Sequence, residues 1–272
     1  MENMNDFAKA AVARITRKFI ASNPKSSIAD LIASVYANGF SGDITIASTF
    51  GSVSDLKTNL SDGDIKCLKD NFAEMFSNFY GQVHNEYIFE HASRSLRRCL
   101  ATLVNLNDNE DIFVPYGGLS YAFLNPECNY DIISESLRDK AGISIAREAL
   151  RLNANTVKPL RVERPQKQYT KIIAVPSWIG GILPKESGFN DPYIELPERI
   201  IDMLENNLKE GGKMAIFLKE SVCKSKGWIN FREYLVTNNA KYSTSIVRLP
   251  IDNINTKDTG CLFIIEKTLN SS

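Results

Sequence analysis

Several features that would restrict the function of this sequence directly are missing. Its five cysteines are widely spaced and form no CxxC pair, so neither a disulfide framework nor a zinc knuckle is indicated. The longest apolar stretches, such as IIAVPSWIGGIL, are interrupted by proline and glycine and are too short to span a membrane. The amino-terminal segment has no apolar signal core. We therefore expect a cytoplasmic protein without a membrane segment or a bound metal.

The nucleotide and hydrolase motifs are also missing. There is no GxxxxGK[ST] loop, which excludes the P-loop NTPases, and no GxGxxG follows a strand as dinucleotide enzymes require. No GxSxG elbow occurs, and the only histidines, His84 and His91, precede the first predicted strand. These absences disfavour serine-hydrolase chemistry.

The sequence also carries no net charge, because its 32 basic residues balance its 32 acidic residues. Proteins that bind nucleic acid strongly on their own usually carry a basic excess. Any contact with DNA would then need a local basic patch or a partner. Two groups of basic residues could form such a patch. The first contains Arg94, Arg97 and Arg98; the second contains Lys158, Arg161, Arg164 and Lys167.

The first hundred residues carry helical patterns. Ser27 and Asp30 form a capping-box signature that opens a short helix, which Gly39 closes. A loop rich in Gly, Ser and Thr is expected next, followed by a helix with an aromatic face around Phe72 and Phe76 and a third helix from about residue 85 to 106. We predict an amino-terminal helical region over residues 1–106 and an α/β domain over residues 107–272.

From residue 111 onward, apolar strands alternate with helices. The predicted strands are IFV (112–114), YDII (130–133), KIIAV (171–175) and MAIFL (214–218), followed by the pair STSIVRLP and GCLFIIEK. Helices are predicted at ISIAREALRLNAN, PERIIDMLENNLKEGG and WINFREYLVTN. This alternation predicts a mostly parallel sheet covered on both faces, and the last two strands predict an antiparallel hairpin at its edge.

The order of these segments resembles the N-6 adenine DNA methylases, specifically the modification subunits of type I restriction systems. The resemblance covers roughly residues 83–267 and rests on DIFVPYGGLSYAF, IAREALRLNA, KIIAVPSWIGG, LKEGGKMAIFLKESV and the carboxy-terminal REYLVTNNAKYSTSIVRLPIDNINTKDTGCLFIIEK. It implies a Rossmann-like class I fold, with a mixed, mostly parallel sheet, and S-adenosylmethionine (AdoMet) as the cofactor. It also implies DNA as a partner, reached through a separate specificity subunit.

The resemblance assigns a cofactor site to the turn after the first strand. In the family this turn reads D-P-x-C-G-S-G, and its glycines let the backbone approach the methionine part of AdoMet. The matching residues here are Val114, Pro115, Tyr116, Gly117, Gly118, Leu119 and Ser120, so the acid and the last glycine are replaced. The ribose-binding carboxylate is expected at Glu135, with Asp131 as the alternative, and the adenine-contacting turn near Val162 and Glu163.

The catalytic motif of the family is N-P-P-F or N-P-P-Y, and the matching residues are Val175, Pro176, Ser177 and Trp178. The family's Asn accepts a hydrogen bond from the target amine, while the aromatic ring stacks on the flipped base. Trp178 keeps a stacking ring, but Val175 has no acceptor. The resemblance therefore predicts impaired or lost adenine methylation. Two alternatives stay open: a non-catalytic structural or DNA-associated subunit, and a methyltransferase for a different substrate.

Overall fold

The computed structural model describes residues 6–40, 42–82, 94–116, 125–134, 136–157, 166–175, 192–224, 226–249 and 260–269. Its helices are α1 (Asp6–Ser22), α2 (Ile28–Gly39), α3 (Ile44–Phe50), α4 (Asp62–Asp70), α5 (Phe72–Gln82), α6 (Arg94–Leu103), α7 (Leu137–Leu150), α8 (Pro192–Asn206), α9 (Glu220–Cys223) and α10 (Lys226–Thr237). Its strands are β1 (Asp111–Tyr116), β2 (Asn129–Ile133), β3 (Asn153–Val157), β4 (Tyr169–Ala174), β5 (Leu208–Lys219), β6 (Tyr242–Leu249) and β7 (Gly260–Lys267).

The seven strands form one sheet in the order β3-β2-β1-β4-β5-β7-β6. Strand β1 pairs in parallel with β2 and β4, and β4 pairs in parallel with β5. Strand β7 is antiparallel to both β5 and β6, so it lies between them in the sheet. The predicted mostly parallel sheet with an antiparallel terminal pair is confirmed.

The chain divides into two compact units. An amino-terminal unit comprises Met1–Val83 and Ser134–Ala154, and a sheet unit comprises His84–Ile133 and Asn155–Ser272. Helix α7, although it follows β2 in the chain, belongs to the amino-terminal unit and packs against α3 there. The domain boundary expected at residue 106 stays a prediction.

Helix-capping signals explain much of the amino-terminal unit. The box predicted at Ser27 is confirmed, because the Ser27 amide donates to Asp30 Oδ2 at 2.6 Å while the Asp30 amide donates to Ser27 Oγ at 3.3 Å. The loop expected between α2 and α5 is wrong, since this segment contains α3 and α4. Helix α4 begins with a second capping box, formed by Ser61 and Asp64, and α3 begins at the cap Asp43.

One face of the sheet forms an apolar core with α8 and α10. The strand register aligns inward-facing residues in rows, such as Ile172 beside Met214 on neighbouring strands. Trp228 of α10 lies at the centre, fully buried, with its ring 5.2 Å from that of Phe231 and 6.4 Å from that of Phe263. The residues of this cluster that come from the sheet include Phe113, Ile172, Ala174, Met214, Ile216, Leu218, Cys261, Phe263 and Ile265.

Within the described part of the chain, no helix is long and apolar enough to cross a membrane. In the same part, no group of three or more His, Cys, Asp or Glu side chains could hold a metal ion.

Candidate functional site

The carboxyl edge of the parallel strands is the candidate site, at the junction of β1 and β4. Strands β1, β2 and β3 extend the sheet in one direction, whereas β4 and β5 extend it in the other. Open α/β sheets bind ligands outside the carboxyl ends of the strands at such a reversal of strand order. The two strands are joined at this edge by a hydrogen bond of 3.0 Å from the Val175 amide to the Tyr116 carbonyl.

Pro115 gives the end of β1 an unusual geometry. The sequence predicted that the strand would stop at this proline, but β1 continues through Pro115 to Tyr116. Phe113 lies opposite Ile172 and Tyr116 lies opposite Ala174, so two residues of β1 face one residue of β4 between these pairs. Proline has no amide hydrogen to donate to a neighbouring strand, and a bulge is where a central strand tolerates it.

The bulge changes the face on which Tyr116 lies. Residues three positions apart on a regular strand point to opposite faces. Here Phe113 and Tyr116 both lie on the face of α8 and α10, and Tyr116 packs against the apolar core of that face. The sequence had grouped Tyr116 with the cofactor turn without indicating this orientation. A proline inside an otherwise central strand was the available signal.

The hydroxyl of Tyr116 is buried and has no hydrogen-bond partner among the described residues. Burial raises the pKa of Tyr116 to about 12, and the positive charge of Arg199, on α8, opposes part of that rise. The phenol is therefore neutral at physiological pH and can donate one hydrogen bond. A polar group of this kind at the edge of the sheet is a candidate contact for a ligand.

The two valines at the site are buried and apolar. Val114 and Val175 are both completely buried, one two residues before the end of β1 and the other directly after β4. In the resembling family these two positions carry a carboxylate and a carboxamide. Neither valine side chain can accept a hydrogen bond from a ligand or a target amine. Among the described residues of the site, the Tyr116 hydroxyl is a candidate polar contact, and the family's acceptor is absent.

Most of the other predicted site residues lie outside the described residues. They are Gly117, Gly118, Leu119, Ser120, Glu135, Val162, Glu163, Pro176, Ser177 and Trp178. The structure therefore brings together Val114, Pro115, Tyr116 and Val175 only. The roles of all these residues stay predictions.

The alternative ribose carboxylate, Asp131, is engaged elsewhere. It lies in the middle of β2, where its Oδ2 accepts a hydrogen bond of 3.0 Å from the Tyr169 hydroxyl and its Oδ1 one of 3.3 Å from Asn155. Lys167 Nζ lies 3.4 Å from Asp131 and 3.1 Å from Asp111. This network ties strands together, so it favours a structural role for Asp131 and leaves Glu135 as the ribose candidate.

The same network bears on the basic group that contains Lys167. Two carboxylates hold the ammonium of Lys167 and raise its pKa, although partial burial opposes the rise. A lysine flanked by two carboxylates lies in a locally negative environment, which is unfavourable for binding a phosphate. Of the other residues in the two basic groups, Arg98 is exposed on α6. The remaining side chains lie outside those that the structure describes.

The amino-terminal unit contains an open hollow of about 440 Å³ near the end of α7. Arg147 and Arg151 line it together with Ser144 and Asn153. Glu148, also in the lining, accepts a hydrogen bond from the buried Tyr36. This polar surface hollow lacks the apolar lining that is typical of sites for small organic ligands.

Comparison with known proteins supports the fold and does not assign a family. No family model matches the chain, and no curated protein sequence matches it. A candidate class I S-adenosylmethionine-dependent methyltransferase from Listeria monocytogenes superposes with a TM-score of 0.62 at 10% identity, covering 97% of this chain and 90% of its own. Two further structures have TM-scores too low to support an inference.

The first of these is the O-methyltransferase TomG of Streptomyces achromogenes in complex with AdoMet, with a TM-score of 0.48 at 13% identity over 74% of this chain and 96% of its own. The second is an rRNA methylase of Streptococcus thermophilus, with a TM-score of 0.44 at 16% identity over 64% of this chain and 96% of its own. The strand order and the Listeria structure together establish that the chain has the Rossmann-like class I methyltransferase fold.

Proposed function

We propose that the protein binds S-adenosylmethionine at the carboxyl edge between β1 and β4 and that it does not methylate adenine by the family's usual mechanism. The observation that carries the proposal is the end of β1, where the bulge at Pro115 places a buried Tyr116 hydroxyl beside the strand junction without a hydrogen-bond partner in the described part of the chain. The class I fold and the position at the reversal of strand order support a nucleotide-type ligand there.

The described residues fit this cofactor. Val114 and Val175 are buried apolar side chains near the strand junction, and Tyr116 carries a hydroxyl that could donate to a polar group of the methionine part. Gly117 and Gly118 follow directly in the sequence, and glycines allow a close approach of the backbone to a ligand. AdoMet, when bound, supplies a methyl group on a positively charged sulfur. In a methyltransferase the protein must then orient an acceptor toward that methyl group.

The finer proposal is a relative of the type I modification subunits that works beside a DNA-recognition partner. The ordered sequence resemblance supports it, and the balanced net charge is consistent with a chain that needs such a partner to reach DNA. The replacement of the family's Asn by the buried Val175 supports a non-catalytic role within such an assembly.

The first test is the binding of AdoMet to the purified full chain. We expect titration calorimetry to give a dissociation constant on the order of micromolar for AdoMet and for its demethylated product, S-adenosylhomocysteine. Both ligands should also raise the melting temperature. ATP, which shares the adenosine but not the methionine, serves as the control and should bind much more weakly. Absence of both heat and thermal shift with AdoMet would refute the proposal.

The second test is methyl transfer to DNA. With tritiated AdoMet and DNA of varied sequence, we expect incorporation at least about 100-fold slower than that of an active adenine methyltransferase, because the acceptor for the target amine is missing. The matched variant is Val175→Asn, which restores an amide. Incorporation by that variant alone would attribute the loss to Val175, whereas incorporation by the wild type at the rate of the active enzyme would contradict the non-catalytic assignment.

A further inference from the structure

The Tyr116 hydroxyl is a buried group without a hydrogen-bond partner among the described residues. Burying a hydroxyl without a hydrogen bond is unfavourable, so most buried polar atoms have partners. The other described tyrosine buried in β1 or β2, Tyr130, follows this rule, because its hydroxyl donates to the Asn125 carbonyl at 2.9 Å and accepts from the Asn125 amide at 3.0 Å. Tyr116 differs in lying at the carboxyl edge of the sheet and in having no partner among the residues that the structure describes.

The β-bulge at Pro115 sets the orientation of Tyr116. Without the bulge at Pro115, regular alternation would turn the Tyr116 side chain to the face opposite Phe113. Bulges often re-aim a side chain next to an active site. In this protein the bulge directs the Tyr116 side chain toward the α8 face. The Tyr116 backbone carbonyl still accepts a hydrogen bond from the Val175 amide at the end of the adjacent strand.

The electrostatic surroundings favour an acidic partner for Tyr116. Arg199 of α8 is near enough for its charge to act on the phenol. Arg199 has interactions of its own, but a guanidinium carries five N–H donors and can serve several acceptors. A neutral phenol that donates within the field of a guanidinium is complementary to a carboxylate.

We propose that the Tyr116 hydroxyl donates a hydrogen bond to the carboxylate of the amino-acid half of S-adenosylmethionine. Val114, at the position of the family's carboxylate, cannot make such a polar contact. This inference rests on the proposed function, because it assigns one group of the same cofactor to one residue. Tyr116 is thus a positioning residue for the cofactor. It lies at the strand junction where the sequence resemblance puts the methionine part.

The test compares Tyr116→Phe with wild type in titrations with two ligands. S-adenosylhomocysteine contains the carboxylate, whereas 5′-methylthioadenosine keeps the adenosine and sulfur but lacks the amino-acid half. We expect the substitution to weaken S-adenosylhomocysteine binding roughly tenfold or more, as for hydrogen bonds to charged groups. It should leave 5′-methylthioadenosine binding within a factor of two or so.

Tyr130→Phe is the matched control, since it removes a hydroxyl that already has partners inside the protein. We expect it to lower the melting temperature and to leave both affinities unchanged, whereas Tyr116→Phe should leave the melting temperature of the ligand-free protein unchanged or raise it. This thermal comparison needs no activity and separates a ligand contact from a packing role.

The outcomes are distinct. If the wild type binds neither AdoMet nor S-adenosylhomocysteine, the proposed function fails and this inference fails with it. If the wild type binds both but Tyr116→Phe binds S-adenosylhomocysteine equally well, only the assignment of Tyr116 is overturned. An equal loss of affinity for both ligands tested with Tyr116→Phe would overturn the carboxylate as its partner.

Discussion

Replacing Trp228 with alanine is expected to lower the free energy of unfolding by about 3–5 kcal/mol, the range for removing a large aromatic side chain from a packed core. Trp228 is fully buried and its ring packs edge-on against Phe231 and nearly parallel to Phe263. The alanine would leave a cavity between α10 and the sheet. Urea unfolding followed by far-UV circular dichroism measures the change.

Two variants control for the location of this effect. Trp228→Phe keeps one ring and removes an indole N–H that has no partner among the described residues, so we expect it to cost less than half as much as the alanine. Ile229→Ala changes the adjacent, partly exposed residue and should cost less than about 1 kcal/mol. A cost for Trp228→Ala no larger than that of Ile229→Ala would contradict the packing described for this core.

The strands that the sequence predicted best are those whose burial dictates their composition. GCLFIIEK is a nearly continuous apolar run, as expected for a strand buried on both faces, and β7 does lie inside the sheet. STSIVRL carries more polar residues, and β6 is the edge strand, with Ser243, Ser245 and Ile246 exposed. Composition therefore predicted the hairpin, and it agrees with the observed position of β7 inside the sheet and β6 at its edge.

Other elements were mispredicted because tertiary contacts outweigh their local patterns. The first three residues of the segment NANTV were assigned to the end of a helix, but the segment forms β3, a strand in which Ala154 is the only residue that is buried. Its pattern gives little signal without the neighbouring strand β2. The Ser61 and Asp64 capping box, in contrast, was readable in the sequence and was overlooked among the surrounding Gly, Ser and Thr residues.

The same contrast between sequence composition and tertiary contacts applies to the candidate site. The sequence identified Val114 and Val175 as departures from the family, and their complete burial agrees with apolar roles. The orientation of Tyr116 could not be predicted in this way, because it depends on the register of β1 against β4. Register is a property of paired strands, and one extra residue reverses the face on which a side chain lies.

A buried lysine carries the second large stability effect. Lys267 Nζ, near the end of β7, donates to the carbonyls of Leu204, Glu205 and Leu208 at 3.3, 2.9 and 2.9 Å. The first two of these carbonyls belong to the last turn of α8, where helix carbonyls have no intrahelical partner and cations are favoured. Lys267→Met keeps most of the side-chain volume but leaves the three carbonyls without this donor.

We expect Lys267→Met to lower the free energy of unfolding by about 2–3 kcal/mol at neutral pH, since buried acceptors are costly to leave unpaired.

Burial lowers the pKa of Lys267, with the nearby charge of Lys241 adding to the effect. The unfolded chain then binds this proton more tightly, so the wild type gains stability relative to the variant as the pH rises through the lowered pKa toward the ordinary lysine value. Lys224→Met, at an exposed position on the surface, should change stability by less than about 0.5 kcal/mol. Urea unfolding of the three proteins at pH 7 and in the alkaline range tests both parts, and a difference between wild type and Lys267→Met that shrinks as the pH rises would contradict the assigned direction of the pKa shift.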